Sequence, residues 1–239
     1  MSIYRNTDGF SAVLASDPLA DLDLGNPRKW AVFFDDFLAY DITQLIGGVP
    51  YTFTQTNCVD TITSPCGILN LTLGGADNDG GELQTVEAPI ATNSKRLYFE
   101  AKVALSLATG TIAANEIFVG LATIQTTTNF MNAGGTALTV DNCMGFVKYD
   151  AGAAASAVLR KSDVESSDAS VWTPTDGTYA TLSFYFDGAS TYFYVDKILK
   201  ATLSGNEPTG AMAPTLWIKA GEAKANVLKV DYIMCASER

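Results

Sequence analysis

The sequence contains no histidine. Histidine is the commonest general base near neutral pH and the central residue of Ser-His-Asp and Cys-His sites, so its absence excludes both kinds of catalytic centre. Charged residues are also scarce, at 17% of the chain, whereas hydrophobic residues make up 47%. This composition supplies ample apolar surface for a core and is not typical of disordered chains. We therefore expect a folded protein.

Cysteines are few. Cys58, Cys66, Cys143 and Cys235 are too few for a disulfide framework, and none stands in a Cys-x-x-Cys motif that would indicate zinc. Cys58 and Cys66 bracket a short segment, so they either cross-link a loop or remain free thiols. Cys143 and Cys235 stand in apolar segments of strand-like composition, where we expect buried thiols.

Basic residues are in the minority. The chain has 15 lysines and arginines against 26 aspartates and glutamates, a formal net charge of −11. Because Lys and Arg neutralise phosphates in nucleic-acid complexes, we expect no nucleic-acid partner, and the same charge disfavours an anionic membrane surface. No apolar run approaches the ~20 residues of a membrane span. The amino-terminal segment lacks a basic and a continuous apolar region, so we expect no secretory signal and synthesis in a cytoplasm.

No Pro-rich, Ser-rich or highly charged linker divides the chain, which favours one domain. From Trp30 onward, β-prone segments follow one another between turn-forming clusters, and none has a convincing helical pattern. We predict an all-β fold, a two-sheet antiparallel jelly-roll sandwich over residues 30–239. A β-propeller would need a repeat of roughly 40 residues, which the sequence does not show.

Residues 1–29 are predicted to form an amino-terminal arm before the jelly roll. They mix Asp, Gly and Pro with apolar side chains and show little alternation. This segment is too apolar for a solvated tail and too irregular for a core element, so we expect it to become ordered against a partner. The apolar residues expected to anchor the arm are Ile3, Tyr4, Phe10, Val13 and Leu14.

Residues 180–199 have the clearest strand pattern in the chain. Leu182, Phe184 and Phe186 alternate with polar residues and tyrosine, and the second run, "TYFYV", alternates in the same way. A period of two is what a strand with one buried face requires, and the Asp-Gly-containing segment 187–190 supplies a turn. The pattern predicts a β-hairpin with one apolar face and one face of tyrosine and carboxylate.

The C-terminal half resembles a known superfamily. The resembling pattern is Trp172, a strand, the turn Phe186–Gly188, "FYVD" at Phe193–Asp196, "PTLWIKAG" and the closing strand "LKVDYI". It resembles the concanavalin A-like lectin/glucanase superfamily, in the laminin-G-like form found among bacteriophage virion proteins. "RLYFEAKVAL" and "EIFVGLA" fit central strands of that fold. The resemblance covers about residues 30–236 and implies the jelly-roll fold, whereas folds of this kind host many functions.

The chain lacks the catalytic pattern of the glucanases it resembles. Those enzymes carry a Glu-x-Asp-x-x-Glu run on one strand, because a retaining mechanism needs two carboxyl groups ~5 Å apart on the same face. Glu100 and Glu116 have no carboxylate two or five positions further on, so each is interpreted as a lone acid at a strand edge. We therefore predict no catalytic residues and no enzymatic activity.

A glycine-rich loop at residues 75–82 holds Asp77, Asp79 and Glu82. Clustered oxygen ligands on a turn are typical of calcium sites, but the EF-hand pattern needs Gly at the sixth and Glu at the twelfth loop position. Counted from Asp77, those positions are Glu82 and Ala88. Asp and Asn are also favoured in turns for their local hydrogen bonds. We predict a turn rather than a metal site, and no cofactor.

The remaining candidate site is the polar face of the 180–199 hairpin. Its aromatic residues are Tyr185, Tyr192 and Tyr194, and Trp217, which alternates away from Leu216 and Ile218, is expected to extend it. Tyr and Trp combine a large contact area with a polar tip, so such a face suits stacking against sugars or burial against another protein. Alternatively, these tyrosines lie under a covering loop or under the amino-terminal arm.

The features together favour a non-enzymatic structural protein of a virion. Our preferred hypothesis is a bacteriophage capsid decoration (cement) protein, made in the host cytoplasm, whose partners are the capsid shell protein and copies of itself. A subunit that binds only the assembled lattice stabilises it by mass action, and several copies add avidity. The first alternative is a glycan-binding module of a head fibre or tail, and the second is a divergent glycoside hydrolase. The oligomeric state is left open.

Overall fold

The computed structural model describes residues 28–38, 51–63, 67–93, 95–108, 111–126 and 130–239. The regular structure of these residues consists of sixteen β-strands. Their bounds are β1 (Trp30–Asp35), β2 (Tyr51–Thr56), β3 (Cys58–Thr63), β4 (Ile68–Leu73), β5 (Gly80–Thr85), β6 (Ile90–Ala91), β7 (Leu97–Ser106), β8 (Asn115–Ala122), β9 (Cys143–Lys148), β10 (Ala155–Lys161), β11 (Val164–Trp172), β12 (Ala180–Phe186), β13 (Thr191–Val195), β14 (Ile198–Leu203), β15 (Ala211–Ala220) and β16 (Val227–Glu238). Within this described part of the chain, no helix could span a lipid bilayer.

The strands form two sheets. Sheet A has the order β14-β13-β12-β7-β16-β4-β3, with β1 also pairing with β16, and sheet B has the order β11-β10-β9-β8-β15-β5-β2, with β6 also pairing with β15. The pairings are antiparallel. The predicted two-sheet antiparallel jelly-roll sandwich is confirmed.

Alternate residues of both sheets meet to form the core between them. Phe99 and Phe184 on neighbouring strands of sheet A stack with their ring centroids 4.9 Å apart. Phe193 of sheet A meets Phe146 of sheet B edge-on, with centroids 5.5 Å apart, and so links the two sheets. Full burial of such a side chain contributes about 1.5–3 kcal/mol. The alternation of small polar and large apolar residues thus decides which face of each strand turns inward.

The predicted hairpin is confirmed over Ala180–Val195, whereas Ile198 and Leu199 begin the next strand, β14. β12 pairs with β13 so that Phe184 lies opposite Phe193 and Tyr185 opposite Tyr192. The Asp187 carboxylate accepts hydrogen bonds from the backbone N–H groups of Ala189 and Ser190, both at 2.8 Å. This bonding within the turn explains why an aspartate begins it.

Strands β3, β6 and β11 lie where the sequence did not indicate them. β11 contains the run "ESSDAS", whose small polar residues lack apolar alternation, and it forms an edge strand of sheet B paired only with β10. β3 follows β2 after the single residue Asn57, which has a positive φ of 46°. Because β2 belongs to sheet B and β3 to sheet A, the chain changes sheets at Asn57.

Several predictions concern residues near or outside the described ranges. Residues 1–27, which include the five apolar anchors of the arm, lie outside the described residues. Only Arg28 and Lys29 of the arm are described, so the arm stays a prediction.

Cys143 and Cys235 are buried free thiols, as predicted. Cys58 is also a buried free thiol, and burial raises its pKa to about 12. Cys66 lies outside the described residues.

Candidate functional site

The three hairpin tyrosines lie on the outer face of sheet A, and each is half-buried. The rings of Tyr185 and Tyr192 stack with centroids 6.4 Å apart and an interplanar angle of 22°. The Tyr192 hydroxyl donates a hydrogen bond to the Asp187 carboxylate at 3.1 Å. Each ring of this pair therefore turns one face toward its neighbour rather than toward solvent. We call Tyr185, Tyr192 and Tyr194 the tyrosine face.

Neighbouring strands extend the tyrosine face with Tyr98 and Tyr232, which the sequence analysis did not single out, and with Glu100, which it interpreted as a lone acid. Tyr98 of β7 lies opposite Tyr185 and is fully buried. The hydroxyls of Tyr98 and Tyr232 both donate to the Glu100 carboxylate, at 2.5 Å and 2.8 Å. Burial and the negative charge of Glu100 hold the pKa of Tyr232 far above its ordinary value. The alternation in "RLYFEAKVAL" was the pattern that would have placed Tyr98 and Glu100 on one face.

Trp217 does not extend this face, which corrects the sequence prediction. It does point away from Leu216 and Ile218, but β15 belongs to sheet B, so its outward side is the opposite surface of the sandwich. Trp217 is fully buried there and packs with Phe118 and Phe130. The ring of Phe130 lies 4.4 Å from that of Phe118 and 5.7 Å from that of Trp217, between centroids.

The cover over Trp217 is the segment 130–142, which we call the strap. It contributes Phe130, Met131, Leu138 and Val140 to a second hydrophobic cluster on the outer face of sheet B. The hydrogen bonds that hold it include Lys219 Nζ to the Ala133 carbonyl at 3.1 Å, the Asp150 N–H to the Gly135 carbonyl at 2.9 Å, and Arg160 Nε to the Val140 carbonyl at 2.7 Å. The outer face of sheet B is thus a second core rather than an open cleft.

Two carboxylates are buried on this same face. Glu116 pairs with Lys219, whose Nζ lies 3.1 Å and 3.2 Å from the two carboxylate oxygens. Burial raises the pKa of Glu116, and the ammonium of Lys219 counteracts part of that rise. Neither Glu116 nor Glu100 is an edge acid, since β8 and β7 are interior strands of their sheets. That interpretation of the sequence was wrong.

Glu82 is the second buried carboxylate. It is 1% exposed, and neither of its oxygens has a hydrogen-bond partner. Burial raises its pKa to about 8. In the sheet register Trp217 lies directly opposite Glu82, and Lys219 lies opposite Glu116. The two glutamates are therefore two strands apart and offset by two residues along the strands, roughly 12 Å between their backbones, and neither is open to a substrate.

An open groove of about 490 Å³ lies where β2 passes into β3 and β4 into β5. Its lining combines the polar residues Gln55, Asn57, Thr72 and Asp79 with the less polar residues Cys58, Val59, Leu73, Gly74 and Ala76. The Asp79 carboxylate is held by the Ala76 N–H at 2.7 Å and by Asn57 Nδ2 at 3.1 Å. Gly74 is required here, because a Cβ would lie 2.6 Å from the Asn57 carbonyl oxygen.

The loop acids considered for calcium do not converge. Asp77 is exposed, Asp79 is bound within its own loop, and Glu82 lies within β5. Across the described residues, no group of three or more Cys, Asp or Glu side chains could hold a metal ion. The fold and these sites together define a two-sheet jelly-roll protein with an open groove of mixed polarity, an aromatic outer face and a covered opposite face.

Comparison with known proteins places this fold. No family model matches the sequence, and no curated protein matches it. The chain is similar in structure to SO2946 of Shewanella oneidensis MR-1, a protein of unknown function, with a TM-score of 0.59 and 11% identity over 95% of this chain and 96% of that one. It is similar to the endo-1,3-beta-glucanase of Streptomyces sioyaensis, with a TM-score of 0.58 and 15% identity over 87% and 96% of the two chains.

A third similar structure is the Emp47p carbohydrate recognition domain, with a TM-score of 0.59 and 11% identity over 89% of this chain and 98% of that one. The fold is the concanavalin A-like jelly roll of these lectins and glucanases, as the sequence resemblance implied. At these identities the likeness concerns the fold alone.

Proposed function

We propose that this protein is a non-enzymatic carbohydrate-binding protein and that the open groove is its binding site. The observation that carries the proposal is the Asp79 carboxylate, which is fixed in the groove wall by Asn57 and Ala76. Asp79 is 3% exposed, so its carboxylate acts through the exposed Asn57 amide, which it fixes in the groove wall. An amide held in this way is preorganised to exchange hydrogen bonds with sugar hydroxyls.

The other groove residues suit the same class of ligand. The amides of Gln55 and Asn57 both donate and accept hydrogen bonds, as sugar hydroxyls do. Lysine and arginine are absent from the described lining, whereas Asp79 brings negative charge. A uronic or sialic acid would be repelled there, so the groove favours a neutral sugar. A volume of about 490 Å³ lies within the range of small-ligand sites.

The test compares Asp79→Asn with Asp77→Asn on a glycan array, followed by titration calorimetry with the best neutral oligosaccharide. D79N keeps the shape but removes the carboxylate, and we expect its affinity to fall at least tenfold. D77N removes an equal charge from an exposed residue of the same loop and should bind as wild type does. Equal affinities of D79N and wild type, or binding confined to acidic glycans, would refute the groove as the site.

The absence of catalysis is part of the proposal. Glu116 is neutralised by Lys219 beside the strap, and Glu82 is 1% exposed, so neither carboxylate can reach a glycosidic bond. The rival is a divergent glycoside hydrolase. Assays of released reducing ends with β-1,3-glucan and other polysaccharides should give no turnover. Turnover that Glu82→Gln or Glu116→Gln abolishes would establish the hydrolase instead.

The second candidate function is the virion structural role, with the tyrosine face as the docking surface for capsid protein. The stacked Tyr185–Tyr192 pair does not open both ring faces to a sugar, which favours a protein partner. On the same side of sheet A, Val32 and Phe34 are 47% and 41% exposed. A capsid decoration protein should be present in hundreds of copies in purified particles, and Tyr192→Ala with Tyr194→Ala should release it. Absence from particles would end this candidate.

A further inference from the structure

Lys148 is a fully buried lysine whose ammonium meets three backbone carbonyl groups. Its register partner in β8 is Ile117, a core residue, so the lysine side chain points between the two sheets. Lys148 is 0% exposed. Its Nζ donates to the carbonyl oxygens of Ala113 at 2.8 Å, Tyr149 at 3.3 Å and Asn115. We call these three carbonyl groups the carbonyl cage.

The number of donors matches the number of acceptors. A lysine ammonium has three N–H donors and no acceptor, and the cage supplies three oxygens. Converging carbonyl oxygens are also the ligands that bind hard metal cations in proteins. The carboxylates of Asp150 and Glu116 lie near enough to favour a positive charge. The site has the chemistry of a cation site.

The carbonyl cage is connected to the groove by hydrogen bonds. Asn115 contributes its carbonyl to the cage, and its side chain accepts a hydrogen bond from Asn226 Nδ2 at 2.9 Å. The carbonyl of Asn226 in turn accepts the N–H of Leu73 at 3.0 Å, and Leu73 precedes Gly74 in the groove wall. A further hydrogen bond joins Asn226 Oδ1 to the Ala108 N–H at 3.1 Å.

We propose that the Lys148 ammonium is the cation of the carbonyl cage. It holds together the end of the core at which Ala113, Asn115 and Tyr149 meet, and it positions the groove wall through Asn115 and Asn226. It does the work that a bound metal ion would do in the same cage. The link to ligand binding rests on the proposed function, whereas the role of the cage does not.

Burial lowers the pKa of Lys148 to about 8, so the ammonium form predominates at pH 7. The experiment is therefore done at pH 7. Lys148→Ala empties the cage and leaves room for a small cation, whereas Lys148→Met fills the same space with an apolar chain. Both variants remove the ammonium donor from the three carbonyl oxygens, of which that of Tyr149 keeps the N–H of Gly152, and we expect both to melt about 5–10 °C below wild type.

The decisive comparison is chemical rescue. Methylammonium chloride at ~0.1 M should raise the melting temperature of K148A by several degrees more than choline chloride at equal ionic strength, whose cation is too large for the cage. K148M should gain nothing from methylammonium beyond the choline control. Equal effects of the two salts on K148A, or a K148M variant as stable as wild type, would overturn the proposal.

A measurement on the wild-type protein covers the case in which the variants do not fold. An NMR spectrum of lysine ammonium groups at pH 6 should contain a slowly exchanging NH₃⁺ resonance with contacts to Ile117, because a caged ammonium is shielded from water. Its absence would refute the cage. If methylammonium stabilises K148A but the wild-type protein binds no sugar, the role of the carbonyl cage is supported and only the proposed function is rejected.

Discussion

Glu116 and Lys219 lie directly opposite each other on β8 and β15, and their side chains form an ion pair that is almost completely removed from solvent. The Lys219 ammonium also donates to the Ala133 carbonyl of the strap, so one lysine joins the sheet to its cover. Such a pair needs good geometry to offset the cost of removing two charges from water. The carboxylate of Glu116 thus helps to hold the strap on the outer face of sheet B.

Because Glu116 and Lys219 form an ion pair, the losses of unfolding free energy caused by substituting each of them should not add. Lys219→Met should lower the free energy of unfolding by about 3–5 kcal/mol, because it leaves a buried carboxylate uncompensated. Adding Glu116→Met should recover part of that loss, since both charges are then gone. Urea unfolding of the two single variants and the double variant measures the coupling. Losses that simply add would mean that the two side chains do not interact.

Glu82 predicts a pH dependence of stability. Its folded pKa of about 8 lies above the value of 4.5 expected of an exposed glutamate, so on raising the pH the unfolded chain loses this proton first. The free energy of unfolding should therefore fall as the pH rises from about 4.5 to 8, with a slope of at most about 1.4 kcal/mol per pH unit from this group.

Glu82→Gln removes the titrating proton without changing the side-chain shape. The stability difference between E82Q and wild type should grow in favour of E82Q between pH 5 and pH 8 and then level off. Urea unfolding at several pH values measures this difference, and the subtraction removes the contribution of Glu116, whose pKa is also raised. A difference that does not vary with pH would show that Glu82 is ionised throughout.

We expect the Phe130 ring to hold the strap in place on sheet B. Phe130→Ala removes the ring that packs on Phe118 and Trp217, and deleting a buried phenyl group costs about 3–5 kcal/mol. Acrylamide quenching of tryptophan fluorescence should increase as Trp217 becomes accessible. The matched control is Phe34→Ala, because Phe34 is 41% exposed and should change stability little. Unchanged quenching in F130A would mean that other strap residues suffice.

Strands β8 and β9 approach each other closely at Gly120, so we expect a larger residue there to destabilise the protein. It lies opposite Gly145 in the pairing of β8 with β9, and a Cβ on Gly120 would collide with the Met144 carbonyl oxygen. Gly120→Ala should lower the melting temperature by several degrees. Gly134→Ala is the control, since a Cβ there meets nothing within 4 Å. Similar melting of G120A and wild type would show that β8 and β9 can separate at no cost.

The hairpin at residues 180–199 was predictable because its information is local. A strand with one buried face needs apolar residues at every second position, and a turn needs residues such as Asp and Gly, so "LSFYFDGAS" specifies both. The same reasoning extends to the all-β class and to the segments that resemble the concanavalin A-like superfamily. It failed at β11, where the run "ESSDAS" lacks apolar alternation and forms a strand by pairing with β10.

The sites required the tertiary structure. Alternation placed Trp217 correctly on the opposite side of its strand from Leu216, but only the assignment of β15 to sheet B and the position of Phe130 put it in a second core. Glu116 and Lys219 are 103 residues apart, and the groove brings Asn57 to Asp79 across a change of sheets. The sequence by itself determined the strand faces and turns, which depend on neighbours along the chain. Only the folded sandwich decided which of those faces are covered and which polar groups meet, because burial and pairing depend on residues far away in sequence.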